Sequence, residues 1–230
     1  MEIAAITGLE AEARIARRAG FAARASGGIA VQTFEAAEAY LAQGAQTLLS
    51  FGIAGALAPH LAPGTLLLPR AVVEEGGMRR LVDAGWRSHL ADALVSAGLG
   101  AETGDLLGAD QPAASRARKA ELFAATGALA IDLESHIIAR SAIRAGGSFV
   151  VLRAVADPAE RDLPPAALEG LDAEGMPALG RVLNSVLRHP GQVLALLRLA
   201  GDTRRALLAL RSALAQRPDT AGAAVGRIAR

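Results

Sequence analysis

Cysteine is absent from this chain, and aromatic residues make up only 3% of it. The first absence excludes disulfides, thiol catalysis and Cys-ligated metal centres. The second removes the platforms on which a single-stranded nucleic-acid binder stacks its bases, because Trp86, Tyr40 and five Phe are scattered without a cluster. Nucleic acid is therefore not an expected partner. Histidine is sparse as well: His60, His89, His136 and His189 lack ligand spacing, so no metal site is expected. No uninterrupted apolar run reaches the roughly 20 residues of a membrane span. The opening segment MEIAAITGLEAEA has an acidic second residue and regains charge at Glu10, unlike a signal peptide, which makes the cytoplasm the expected location.

What is present fits a compact folded protein. Hydrophobic residues form 52% of the 230 and charged residues 20%, enough for one α/β domain with a sizeable core. The net charge of +1 hides an asymmetry. Nine Arg and two Asp lie between Met176 and Arg230, a balance of +7, so residues 1–175 hold 15 basic and 21 acidic groups and carry −6. We expect an α/β domain over 1–175 and an Arg/Leu-rich helical extension over 176–230.

Within the body, apolar runs alternate with charged, helix-like segments. Ile3 to Thr7 reads as a strand closed by Gly8, and Glu10 to Arg18 as a helix. Gln46 to Phe51 is a second buried strand that is expected to end in a glycine-rich loop, Gly52-Ile-Ala-Gly55. Thr65 to Val73 and Ala128 to Leu133 read as strands, and Trp86 to Ser96, Ala114 to Ala125 and Glu134 to Arg144 as helices. The run SFVVLRAVA, Ser148 to Ala156, is the longest strand signal. The alternation predicts an α/β fold with a mostly parallel central sheet flanked by helices. In such sheets ligands gather at the carboxyl ends of the strands. After Asp157 the chain becomes turn-rich, and from Met176 the Leu/Arg spacing predicts amphipathic helices.

Three carboxylates fall at strand ends: Glu12 after the first strand, Glu134 after the Ala128–Leu133 strand and Asp157 after the last. Acidic residues also favour helix N-termini, and Asp before Pro commonly opens a turn, so each has an ordinary structural role available. Asp157 stands apart because a carboxyl ending a buried strand is partly desolvated, which favours its protonated form near neutrality. The GIAG segment leaves backbone N–H groups free to approach an anion or a sugar hydroxyl. The chain has neither Walker lysine spacing nor G-x-G-x-x-G after its first strand, so the P-loop and dinucleotide readings lack support.

In order and spacing, IAAITGLEAEARI, SFGIAGALAPHLAPGTLLLPRAVV, IDLESHIIAR and FVVLRAVADPA resemble the successive signatures of the nucleoside phosphorylase superfamily over about residues 1–160. Within it the chain is most similar to the methylthioadenosine/S-adenosylhomocysteine nucleosidases and, with ERDLPPAAL and the Arg/Leu-rich tail included, to the hopanoid-associated phosphorylases. The resemblance implies that Asp157 is the acid that protonates the leaving purine at N7. It also implies that Glu134 binds ribose hydroxyls, Leu133 packs on the sugar and Glu12 positions water. Gly8, Ile53, Ala54 and Gly55 match positions lining the sugar and nucleophile site. Neither a metal nor an organic cofactor is implied; inorganic phosphate is a candidate co-substrate. The arginines that phosphorylating members carry after the first strand and before the glycine segment have no match, leaving water as nucleophile or a different arginine, such as Arg14 or Arg153, for phosphate.

The leading expectation is phosphorolysis of adenosyl hopane to adenine and phosphoribosyl hopane in hopanoid biosynthesis. One alternative is hydrolysis of methylthioadenosine or S-adenosylhomocysteine. Another is an inactive, membrane-associated binding protein. A small or lipid-linked nucleoside is the expected partner of a homo-oligomer, with peripheral contact of the basic tail with the inner face of the membrane.

Overall fold

The structure, a computed structural model, describes residues 2–168 and 179–215. Strand β1 (Ile3–Thr7) is buried throughout and leads at once into α1 (Glu10–Arg18), whose acidic first turn and basic last turn both complement the helix dipole. Next come β2 (Ala22–Ala25), α2 (Ala30–Ala42) and the ten-residue β3 (Thr47–Ala56). Short strands β4 (Leu66–Leu67), β5 (Ala71–Val73) and β6 (Arg79–Leu81) precede α3 (Ala84–Ser96), where Asp83 caps by accepting from the Trp86 amide. β7 (Ala101–Glu102) and β8 (Leu106–Gly108) lead to α4 (Arg116–Thr126), capped by Ser115 and ended by Gly127 at φ +65°. β9 (Ala130–Asp132), α5 (Ser135–Arg144) and the ten-residue β10 (Ser148–Asp157) complete the sheet. The turn-rich segment then gives α6 (Pro165–Leu168), followed by α7 (Leu179–Arg188) and, after a 3₁₀ turn at Pro190–Gln192, α8 (Val193–Ala213). The boundary expected at 175/176 and the tail beyond Ala215 lie outside the described residues.

These strands form one ten-stranded sheet in the order β6-β5-β8-β9-β3-β10-β4-β7, with β1 beside β3 and β2 beside β1. Six neighbouring pairs are parallel and three antiparallel, so the sheet is mixed with a parallel majority. Two expectations from the sequence need correction. Gly52-Ile-Ala-Gly55 is the second half of β3 and not a loop after it: Gly52, Ile53 and Ala54 pair with Arg153, Ala154 and Val155, and Gly55 with Asp157 and Ile131. Pairing with β10 on one side holds this half in extended form, and on the other side the Ile53 amide donates to Glu12, an arrangement the glycine content had concealed. The Thr65–Val73 run splits into β4 and β5 around Pro69, which has no N–H for a ladder.

Side chains alternate between two cores because successive strand residues point to opposite faces. Ala4, Ile6, Leu48, Phe149 and Val151 join Ala36 and Ala37 of α2 and Ile138, Ala139 and Ala142 of α5. Ile3, Ala5, Leu49, Phe51, Val150 and Leu152 join Ala13 and Ala16 of α1, Trp86, Leu90 and Leu94 of α3, and Ala206, Leu210, Ala213 and Leu214 in the second half of α8 and at its C-cap. Burial on both faces explains why the central strands read as continuous apolar runs. It also means that the second half of α8 shares the core of the α/β body.

Candidate active site

Glu12 lies in the first turn of α1 with only 1% of its surface exposed. Its Oε2 accepts the amide of Leu9 at 2.7 Å, the capping role that an acidic residue at this position favours. Its Oε1 accepts the amide of Ile53 at 2.8 Å, from the middle of β3. Burial pushes the Glu12 carboxyl up to about 7, against the pull of the nearby Arg153 guanidinium.

Arg153 of β10 is 1% exposed and organises the cluster. Its Nη2 lies 2.5 Å from Asp132, 2.9 Å from Glu134 and 2.7 Å from the Ser50 hydroxyl, and Nη1 donates to the Ile53 carbonyl at 3.3 Å. Burial works against its charge, but Asp132, Glu134 and Glu12 outweigh that cost and hold its pKa above the usual value. Glu134, at the N-cap of α5, is raised by burial and by the Asp132 charge more than Arg153 lowers it. Ser135 ties the group together, its amide and hydroxyl both donating to Asp132 while its oxygen meets Ser50 at 2.8 Å.

Two glycines make room for this packing. A Cβ on Gly8 would sit 2.8 Å from Glu134 Oε1. One on Gly52, whose φ is +154°, would sit 2.6 Å from Glu12 Oε2 and 2.7 Å from Arg153 Nη1. The small residues that suggested a phosphate-cradling turn therefore serve close approach of side chains to a strand.

Asp157 ends β10 beside Gly55, whose absent Cβ would lie 3.5 Å from its Oδ2. The step from Gly52 to Gly55 is about 10 Å along an extended strand. Burial raises the Asp157 carboxyl; Lys119 of α4 opposes this from 2.6 Å. A cavity of about 320 Å³ opens against Asp157, walled by Pro158, Arg161 and Leu163 of the following turn and by Ala195, Arg198 and Leu199 of α8.

The fold thus gathers Gly8, Glu12, Ile53, Glu134 and Arg153 into one cluster, with Gly55 and Asp157 further along the same strand pair. Leu133 stands beside Gly28, which also faces Glu134. Ala54 differs, because its side chain belongs to the apolar core and only its backbone faces the site's strand pair. Because β9 runs antiparallel to β3 whereas β10 runs parallel to it, Glu134 reaches the cluster from the opposite direction to Asp157. Asp132, Ser50, Ser135 and Lys119 were not singled out from the sequence. Lys119 left one signal there, being the single lysine among 24 basic residues.

Residues 25–188 match the phosphorylase superfamily. The chain belongs to that superfamily. This phosphorylase-superfamily enzyme also has the fold of several solved structures. One is the 5′-methylthioadenosine/S-adenosylhomocysteine nucleosidase of Neisseria meningitidis, in complex with methylthio-immucillin-A, at TM-score 0.70 and 17% identity, covering 94% of this chain and 97% of that one. Another is the S-adenosylhomocysteine nucleosidase of Streptococcus pyogenes, in complex with 5-methylthiotubericidin, at TM-score 0.67 and 19% identity, covering 93% and 96%. The futalosine hydrolase of Helicobacter pylori follows at TM-score 0.66 and 16% identity, covering 94% and 97%. No curated protein matches the chain by sequence. The superfamily match begins after Gly8 and Glu12, so their place in the site rests on the geometry above.

Proposed function

We propose that this enzyme releases adenine from a nucleoside by breaking its N-glycosidic bond, with Asp157 as general acid, Glu134 on the ribose hydroxyls and Glu12 beside the nucleophile. The observation that carries the reading is the joining of Glu12, Glu134 and Arg153 on β3 and β10, one short strand segment from a partly buried Asp157. As C1′–N9 breaks, its electron pair goes to the purine, which takes the Asp157 proton at N7. The ribose becomes cationic, and buried carboxylates are placed to stabilise that charge. Leu133, Gly8, Ile53, Ala54 and Gly55 line the sugar side, Ala54 through its backbone. No step needs a metal or an organic cofactor.

For the substrate, the resemblance of ERDLPPAAL and the tail to hopanoid-associated phosphorylases supports adenosyl hopane cleaved by phosphate, with adenine and phosphoribosyl hopane as products. Leu187, Val193, Leu194 and Leu197 are exposed on α7 and α8 beside Arg188 and Arg198, a surface suited to peripheral contact with an anionic membrane. No helix among the described residues is long and apolar enough to cross one. Exposed Val31, Phe34 and Ile143 on α2 and α5 support a homo-oligomer.

A second reading, hydrolysis of methylthioadenosine or S-adenosylhomocysteine, is favoured by one observation. Arg153, the candidate phosphate ligand, is engaged by Asp132, Glu134 and Ser50, and its single charge faces three carboxylates when Glu12 is counted. Such surroundings repel phosphate and suit a water whose proton passes to Glu12. Adenine release from adenosyl hopane and from methylthioadenosine, each with and without phosphate, decides between them. Release that requires phosphate sustains phosphorolysis; release indifferent to it establishes water. No adenine from either substrate removes the enzymatic proposal in favour of a binding role.

A further inference from the structure

Lys119 is 1% exposed, and each of its three N–H donors has a partner. Its Nζ lies 2.6 Å from Asp157 Oδ2, donates to the Pro158 carbonyl at 2.9 Å and donates to the Arg161 carbonyl at 2.7 Å. One ammonium thereby joins α4 to the end of β10 and closes the turn that follows. A buried charge is costly unless it is fully paired, so its retention at this point calls for a reason. The rest of the chain supplies a contrast: every other basic residue, 23 of 24, is arginine. An ammonium is a compact point charge with three donors and suits one carboxylate and two carbonyls converging from different directions, which a planar guanidinium does not.

We infer that Lys119 is a positioning residue that acts through Asp157: its ammonium fixes the carboxyl group and, as a positive charge in contact with it, sets the pH above which that group no longer holds a proton. The inference rests on Asp157 being the acid of the proposed reaction. Other charges that face Asp157 come from the start of α4, the following turn and α8. Arg161 pairs with Asp202, which also holds Arg205 at 2.5 Å, so this group keeps a net charge of +1 and acts on Asp157 through space, without an ion pair to it among the described residues. Arg116, Glu160, Asp162 and Arg198 stand around the cavity in front. Lys119 is the cation in direct contact.

The contact has a catalytic consequence. When Asp157 passes its proton to N7 it becomes an anion, and the ammonium at 2.6 Å stabilises that anion, making the acid stronger. The same charge empties the acid of its proton at a lower pH. Replacing it should therefore have two opposite effects: slower proton donation where Asp157 is protonated, and activity that persists to higher pH. Loss of a merely structural contact would lower activity at every pH alike.

Because the chain has a single lysine, labelling with [13Cε,15Nζ]-lysine gives one side-chain signal in the whole protein. In the wild type this signal should inflect at the pH where a 13C-labelled Asp157 carboxyl titrates, and Asp157→Asn should abolish that inflection. In Lys119→Gln, which keeps two N–H donors for the turn, the Asp157 midpoint should rise by about one pH unit, a tenfold fall in its dissociation constant. The alkaline limb of kcat/KM for adenine release from methylthioadenosine should move with it. A lysine signal that ignores the Asp157 titration overturns the inference even if Lys119→Gln fails to fold, as does an unmoved midpoint in the folded variant. Should Asp157→Asn keep full activity while the lysine and carboxyl signals titrate together, the assignment of the acid fails and the linkage stands.

Discussion

Asp157→Asn keeps the volume of the side chain but has no proton for the leaving base, and general acid catalysis is worth about 10²- to 10⁴-fold. Adenine release should fall by that factor in a variant that still folds, with a lowered melting temperature because the buried Lys119 loses its anionic partner; a variant retaining more than about a tenth of the activity means another group is the acid. Glu134→Gln should lower kcat more than it raises KM, because a carboxylate on the ribose counts most when the sugar is cationic. An effect confined to KM would reduce Glu134 to a binding residue. For Glu12 the same burial that prepares it to accept a proton also couples it to folding. Its carboxyl rises from the ordinary 4.5 to about 7, so the native state holds its proton more tightly than the unfolded chain does. That preference, about 3 kcal/mol, is fully present below pH 4.5 and disappears as pH climbs to 7. Glu134 and Asp157 are raised as well and act in the same direction. Urea unfolding of the wild type should show stability falling between about pH 5 and 7, and Glu12→Gln should flatten that slope; equal slopes in both proteins would place the Glu12 carboxyl back in its usual range.

At the level of elements, β3 does more than its composition suggests. Its first half, Thr47 to Ser50, lies between β1 and β10; beyond it, β10 continues alongside while β9 pairs with Gly55 and Ala56. The departure of β1 after Ser50 lets Glu12 reach the Ile53 amide from α1. Gly52 sits where the carboxylate and the guanidinium converge. Gly52→Ala should therefore push Glu12 and Arg153 apart, costing about 1–3 kcal/mol of stability as overpacking does, with at least a tenfold loss of kcat. Normal activity and melting in this variant would show that the two groups yield without consequence. Helix positions were legible because their signals are local. α1 has charged first and last turns, and α3 and α4 have Asp83 and Ser115 as caps. The strand character of Gly52–Gly55 was not legible, since glycine favours turns by itself and only pairing with β10 overrides that preference.

For the molecule as a whole, the tail expected to be a separate helical extension is divided in its surroundings. Ala206, Leu210 and Leu214 are buried in the second core, whereas Val193, Leu194 and Leu197 remain exposed at the start of α8, next to the cavity that reaches Asp157. If this exposed half rests on a membrane, the full-length protein should sediment with phosphatidylglycerol vesicles at low salt, and Leu194→Ser with Leu197→Ser should reduce binding at least fivefold without altering adenine release from methylthioadenosine. Failure of the wild-type protein to sediment removes the membrane contact. By itself the sequence determined the two-sided burial of the central strands, the positions of most helices and the candidate residues Glu12, Glu134 and Asp157, because apolar periodicity and residue type act over a few neighbours. Tertiary structure alone decided that β9 runs against β3, that Arg153 is taken up by Asp132 and Glu134, and that Lys119 meets Asp157 across 38 positions of chain. Those outcomes depend on which groups must share a buried charge, and burial is a property of the assembled sheet and not of any segment read alone.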